Sequence, residues 1–120
     1  MMNDASPWPE ELRLQHGGSR LQVTFDSGEI FVLSAEFLRT HSPSAEVKGH
    51  APGEEKLVLG KQNVRIVRIE PVGNYAARLV FDDGHATGLY SWDYLLKLGR
   101  ERDRLWAHYV SRAAEAGSSR

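Results

Sequence analysis

The strongest constraint on how this chain can fold is a pattern that occurs twice. Phe25-Asp26-Ser27-Gly28 is followed after five residues by Ser34-Ala35-Glu36-Phe37-Leu38, and Phe81-Asp82-Asp83-Gly84 is followed after six by Ser91-Trp92-Asp93-Tyr94-Leu95. Each copy reads as strand, tight turn, strand, capped helix. Ser-Gly and Asp-Gly supply the backbone freedom that a hairpin turn needs, and Ser34 and Ser91 stand where a side-chain oxygen accepts from the first free amides of a helix. The copies differ in one chemically relevant way: His85 directly follows the second turn. Between them, His41-Ser42-Pro43-Ser44-Ala45-Glu46-Val47-Lys48-Gly49-His50 is too polar and too broken by Pro and Gly to be core. This loop and His85 are where a function is to be sought.

The rest of the chain extends the pattern. Leu12 and Leu14 alternate with polar neighbours over Glu11 to His16, Leu21, Val23 and Phe25 alternate in the next run, and Gly17-Gly18 lies between them as a turn. Glu29 to Leu33 extends the sheet, and Ser34 to Thr40 makes a short helix with Phe37 and Leu38 facing inward. The polar loop runs to about Glu55, Lys56 to Leu59 reads as a short strand, and Val64 to Val72 as a longer one. Gly73-Asn74 turns into Ala76 to Phe81, His85 to Tyr90 closes the second unit, and a helix begins at Ser91. Gly99 ends or kinks that helix. Arg100 to Ala116 then carries Leu105, Trp106, Tyr109, Val110 and Ala113 on one face, which predicts a helix docked on the sheet. The expected fold is α+β: an antiparallel, twisted sheet of about six strands, short helices, and an amphipathic C-terminal helix packed on one face. Residues 1–8 read as a flexible lead-in, 9–116 as one domain and 117–120 as a frayed tail.

Composition narrows the function classes. A chain of 120 residues suits one domain, able to bury roughly two-thirds of its unfolded surface. With 15 basic and 16 acidic side chains there is no global field to attract nucleic acid or an anionic membrane. The absence of cysteine excludes disulfides, thiolate metal sites and cysteine nucleophiles, and agrees with a reducing compartment. Met1 to Glu11 lacks the basic-then-apolar pattern of a signal peptide, and the longest strongly apolar run, Ile30 to Leu33, is far short of the ~20 residues of a membrane span. A cytoplasmic protein is expected.

His85 can ligate a metal, switch with pH, or hydrogen-bond a backbone carbonyl; one histidine by itself specifies no geometry. His41, Glu46, His50 and His85 together have the donors for a divalent metal, but eight residues separate His41 from His50, unlike a compact metal motif. A nucleophilic enzyme would use Ser42, Ser44 or Ser91 with His85 and Asp93. No Gly-x-Ser-x-Gly occurs, however, and the three serines read more simply as loop and cap residues. Neither Gly17-Gly18 nor the Gly49 to Gly53 segment has the Lys-Ser/Thr ending of a phosphate loop. Lys48, Lys56, Lys61, Arg65 and Arg68 read as a solvated face, because from Ala45 to Asn74 there is no aromatic residue to stack a base. Tyr90, Trp92 and Tyr94 cannot all face one way as the chain enters a helix, so at least one ring is expected beside the loop, where it would anchor a partner protein.

The segments Ser42 to Val47 with Gly49-His50, and Asp83-Gly84-His85 with Gly88-Leu89-Tyr90-Ser91-Trp92-Asp93-Tyr94-Leu95, resemble the gamma-butyrobetaine hydroxylase-like N-terminal domain family over about residues 9 to 115. The resemblance implies a small mixed α and β module. In the hydroxylases this module holds a structural zinc through three cysteines and a histidine, and precedes a 2-oxoglutarate oxygenase barrel. It is also found fused to P-loop ATPases that carry iron-sulfur clusters. Carried onto this chain, the cysteine run falls near Ser42, Ser44 and Val47 and the zinc histidine on His85, so all three thiolates are lost and the barrel is missing.

These readings lead to a non-enzymatic accessory or protein-interaction module that assists a cofactor-handling partner, an iron-sulfur or oxygenase protein. Its contact surface would be His41, Ser42, Ser44, Glu46, His50, His85, Tyr90, Trp92 and Asp93. No cofactor, nucleic acid or membrane is expected. The alternative is a zinc- or iron-binding module built on His41, Glu46, His50 and His85, and an enzyme ranks third.

Overall fold

The computed structural model describes residues 7–49 and 55–118. Strands β1 (Pro9–Gln15), β2 (Arg20–Phe25) and β3 (Ile30–Ser34) lead into helices α1 (Ala35–Thr40) and α2 (Ala45–Lys48), with a 3-10 turn at His16–Gly18. Strands β4 (Ile66–Val72), β5 (Ala76–Phe81) and β6 (Leu89–Ser91) lead into α3 (Trp92–Arg100) and α4 (Arg102–Glu115). The class is α+β as the sequence predicts, but the six strands form two antiparallel sheets of three, ordered β1-β2-β3 and β4-β5-β6.

The repeated sequence pattern is a repeated structure. Phe25 and Phe81 open the two turns. Each accepts at its carbonyl from the glycine of its turn, Gly28 at 3.0 Å and Gly84 at 3.1 Å, and donates its own N–H to Glu29 O at 2.9 Å or His85 O at 3.0 Å. Gly28 and Gly84 have φ of 92° and 91°, a left-handed conformation that costs glycine nothing. Asp26 takes the Trp8 N–H on its carboxylate at 2.9 Å, and Asp82 takes the Arg65 N–H at 3.1 Å. Both sheets are bulged at the same point, opposite the phenylalanine, between Pro9 and Glu11 and between Ile66 and Arg68. Ser34 and Ser91 cap α1 and α3 by accepting from Phe37 N and Tyr94 N.

Neither sheet buries its apolar face alone. Leu21, Val23, Phe25 and Leu33 from the first and Ile66, Leu79, Phe81 and Tyr90 from the second lie in one core with Phe37, Leu38, Leu95 and Leu98 from the helices. The units also brace each other through their turns. Arg100 at the end of α3 makes a two-pronged pair with Glu29, at 2.8 Å on each prong, and Arg39 in α1 reaches Asp83 at 2.8 Å. Each helix is thus tied to the turn of the other unit. The turn after β1 comes close to β4 at Gly18, whose φ is 94° and where a Cβ would stand 2.1 Å from the Ile66 carbonyl oxygen. Arg65 caps this junction by donating to the carbonyls of His16 and Gly17 at 3.0 and 3.3 Å.

Several sequence expectations are corrected. Lys56 to Leu59 forms no strand, although its backbone is engaged: Lys56 N donates to Val47 O at 2.7 Å, and Val58 O accepts from the Tyr109 hydroxyl at 2.6 Å. Gly99 does not end its helix. It makes room for the Phe31 ring, which a Cβ would meet at 2.4 Å, and the break comes at Glu101. The inner stripe of α4 is Leu105, Trp106, Tyr109 and Ala113, while Val110 is 39% exposed. Trp106 meets Phe37 edge-on at 6.3 Å and Tyr109 lies 6.1 Å from the His41 ring, so α4 docks on the end of α1 and the segment beneath it. Trp8, the residue of the lead-in that the sequence allows to be pinned to the body, is indeed held through Asp26 and meets the Trp92 ring at 6.2 Å.

Gly18→Ala is expected to destabilise the fold by at least about 2–3 kcal/mol in denaturant unfolding, since it adds a left-handed alanine to a clash with backbone. A loss below 1 kcal/mol would mean that the inter-sheet contact relaxes freely. Along α4, Trp106→Ala should cost about 2 kcal/mol and Val110→Ala less than about 0.5 kcal/mol, because only the first leaves a hole against the core. Equal losses would show that the stripe is misassigned.

Candidate functional site

The loop after α1 is fastened to the second hairpin by polar groups from both sides. The Ser42 hydroxyl and His85 Nε2 are 2.8 Å apart, and the same hydroxyl accepts from Ser44 N at 3.3 Å. Glu46 on α2 accepts from the Thr87 hydroxyl at 2.5 Å and lies 3.9 Å from His85 Nδ1, beyond direct hydrogen bonding. Gly88 permits the approach, since a Cβ there would meet Ser42 Oγ at 2.5 Å and Pro43 at 3.3 Å. Beneath the loop the Tyr90 hydroxyl donates to Leu38 O at 2.5 Å and the Tyr94 hydroxyl to His41 O at 2.6 Å, satisfying carbonyls at the free end of α1. Asp83 gathers the charges below: it pairs with Arg39 and with Lys61, at 2.8 and 2.7 Å, and accepts from the His85 N–H at 3.0 Å.

The electrostatics follow from this packing. Burial pushes the Asp83 carboxyl up, but Lys61, the His85 N–H and Arg39 outweigh it and hold it at about 2. Burial, helped by the Arg39 charge, pulls His85 below the ordinary imidazole value, with Glu46 and Asp83 opposing. His41 is also lowered, chiefly by burial, while its hydrogen bond to Phe37 O opposes. Burial holds the Tyr90 phenol far above its ordinary value and pushes Tyr94 up to about 12. The two imidazoles and the two phenols are therefore neutral fasteners at neutral pH, while the Asp83 carboxylate is ionised.

The sequence-predicted residues separate into three groups. Ser42, Ser44 and His85 are buried and converge, with exposed Glu46 above them. His41 points elsewhere: its Nδ1 donates to Phe37 O at 2.9 Å and its ring lies on Phe37 at 4.5 Å. Tyr90 has no exposed surface, so it supports the loop from below and is no part of a contact face. Trp92 and Asp93 line a different cleft, with Trp8, Asn74 and Tyr75. His50 lies outside the described residues. Sequence reasoning missed Arg39, Lys61 and Thr87, which complete the fastening. Nothing local marks them, because their partners lie 44, 22 and 41 positions away.

Residues 12–96 match the family described as gamma-butyrobetaine hydroxylase-like, N-terminal. The chain belongs to this family. Two protein structures solved in solution by NMR are similar to it. One is 46% identical with a TM-score of 0.83, covering 97% of this chain and 91% of its own. The other is 48% identical with a TM-score of 0.82, covering 100% and 89%. A crystal structure of a protein of unknown function from Acidithiobacillus ferrooxidans, placed in the DUF971 family, is 35% identical with a TM-score of 0.64, covering 76% of this chain and 91% of its own. No curated protein matches the chain.

The donor set does not fit the hydroxylase-type zinc that membership in the gamma-butyrobetaine hydroxylase-like family brings to mind. The side chains nearest the His85 ring nitrogens are the Ser42 hydroxyl at 2.8 Å and the Glu46 carboxylate at 3.9 Å, neither of them a thiolate, and Val47 offers no ligating atom. Among the described residues no group of three or more His, Cys, Asp or Glu side chains could hold a metal ion, and His41 is turned away from His85. Also among the described residues, no helix is long and apolar enough to cross a membrane.

Both lowered histidines take up their protons at a cost in the folded state. The unfolded chain then binds more protons just below the ordinary imidazole value of 6.5, so stability should be level above that pH and decline as pH falls through it. The groups facing His85 are Arg39, Lys61, Glu46 and Asp83, and those facing His41 are Lys48 and His108. Denaturant unfolding across pH 5 to 8 checks the slope, and His85→Gln should reduce it. An identical slope in the variant would remove His85 from the fastening.

Proposed function

We propose that this member of the gamma-butyrobetaine hydroxylase-like family is a non-enzymatic accessory module that docks on a partner protein handling an iron-sulfur or oxygenase cofactor. The observation that supports the reading most is an aromatic face where the residues before β1 meet the β4–β5 turn and the start of α3. Trp8 and Tyr75 are 48% and 56% exposed, and Trp92 lies between them with its indole N–H on Asn74 O at 2.8 Å. Trp8 and Trp92 meet edge-on, and Asp93 lines the same cleft. Large rings held rigidly at the surface lose little entropy on binding and make good anchors. The buried Ser42–His85 fastening contributes by fixing the second unit, which carries Tyr75 and Trp92. Its hydroxyls and imidazole have little access to solvent, which weighs against a catalytic role. The expected compartment is the cytoplasm.

The test is affinity capture from cell extract with the intact chain, compared with Trp92→Ala and with Tyr75→Ala. The reading expects an iron-sulfur or oxygenase protein to be retained by the intact chain and lost in at least the first variant, with unfolding free energy lowered by no more than about 2 kcal/mol. Retention of the same partner by both variants would place the contact elsewhere.

A further inference from the structure

A second surface, remote in sequence from the aromatic face, collects charge of one sign. A half-open cavity of about 270 Å³ lies where α2, the segment after residue 55, α3 and α4 meet. Each of these four elements sends a cation to its rim: Lys48 from α2, Lys56 from the irregular segment, Lys97 from α3 and Arg112 from α4. His108 is also on the lining, and among the described residues Glu55 is the one carboxylate there. None of the four cations makes an ion pair among the described residues, in a chain whose net charge is −1. Like charges do not gather on four separate elements by helix periodicity. The fold brings them together with no ion pair among the described residues and with Glu55 as the one described carboxylate on the lining, and a concave, low-dielectric wall concentrates their field.

The floor is apolar and aromatic. Leu57, Leu98 and Leu105 line it with the Tyr94 and Tyr109 rings, and the Lys48 ammonium is held 4.3 Å above the Tyr94 ring. We infer that this cavity binds a small organic anion carrying two negative charges, a phosphate monoester or a dicarboxylate, whose charged end meets Lys48, Lys97 and Arg112 while its carbon body lies on the leucine and tyrosine floor. The volume suits a small metabolite, being slightly below that of a typical drug-sized site. The Lys48 ammonium is pushed below its ordinary value, chiefly by burial and then by the charge of Lys97, with Glu55 opposing. Nucleic acid fits less well, because the Tyr94 and Tyr109 hydroxyls are engaged by backbone carbonyls and the rings belong to the floor, leaving no platform for successive bases.

Calorimetric titration of the full chain at fixed ionic strength decides the matter, with glycerol 3-phosphate and succinate as the two probes and glycerol as the uncharged control. The expected result is saturable binding of at least one probe with Kd of about 1 mM or below, no response to glycerol, at least a tenfold weakening in Lys97→Glu, and retention in Lys97→Arg. The probe bound more tightly identifies the head group as phosphate or dicarboxylate. No saturable response up to about 10 mM, or affinity unchanged in both Lys97→Glu and Arg112→Glu, overturns the inference. Tighter binding of a single-stranded oligonucleotide than of either probe also overturns it. Lys97 is exposed and makes no ion pair among the described residues, so its substitution leaves the core intact, and melting curves of the variants confirm that binding is measured on folded protein. The outcome is independent of the aromatic face, since Trp92→Ala should bind the anion as the intact chain does.

Discussion

Two three-stranded meanders, each apolar on one side, have to cover each other, and the rest of the molecule is arranged around that constraint. A three-stranded sheet with one bare apolar face is marginal by itself. Here Leu21, Val23 and Phe25 on β2 and Leu79 and Phe81 on β5 enter a single core. Close contact between the sheets needs a point where backbone can meet backbone, and Gly18 against Ile66 supplies it. The cross-bracing extends the same logic to the surface, with Arg100 of the second unit on Glu29 of the first turn and Arg39 of the first unit on Asp83 of the second. The Arg100–Glu29 pair is exposed, and such pairs add little energy individually, whereas Arg39–Asp83 is largely shielded from solvent. Their effect is to fix the relative orientation of two units that the core already holds together.

The asymmetry between the copies is where chemistry enters. Glu29 follows the first turn and reaches outward to Arg100, whereas His85 follows the second and turns inward to Ser42. The histidine therefore anchors a short connection that the repeat does not specify, the loop from His41 to Ser44 that joins α1 to α2. Tyr90 and Tyr94 hold the same connection from below by taking the last carbonyls of α1. With the loop pinned, α2 is positioned beside α3 and α4, and Lys48 reaches the basic cavity. The aromatic face and the cavity thus depend on one fastening, although they share no lining residue.

Much of the fold was legible in local sequence. The Phe-Asp-x-Gly turns, the serine caps and the Leu21-Val23-Phe25 alternation all act within a few residues, and each forms where the pattern places it. The proximity of His85 to Ser42 was also expected, through the family resemblance and not through any local signal. What misled the reading was equally physical. Val110 fits the helical period but α4 approaches the core at an angle that leaves it outside, and Gly99 looks like a helix stop when its role is to admit the Phe31 ring. Lys48 and Lys56 read as part of a solvated face with Lys61, Arg65 and Arg68, and nothing in the sequence joined them to Lys97 and Arg112, because the four cations come from four elements.

By itself the sequence determined the two units, their turns, their caps and the faces they bury, since each rests on spacing and on the backbone preferences of glycine, serine and β-branched residues. It also determined that no thiolate chemistry is open to this chain. Tertiary structure decided that six strands close as two sheets of three, that Tyr90 is a buried strut while Trp8 and Tyr75 are exposed, and that four cations share one cavity. Those outcomes depend on the angle and distance at which separate elements pack, quantities set by the whole core and carried by no single stretch of residues.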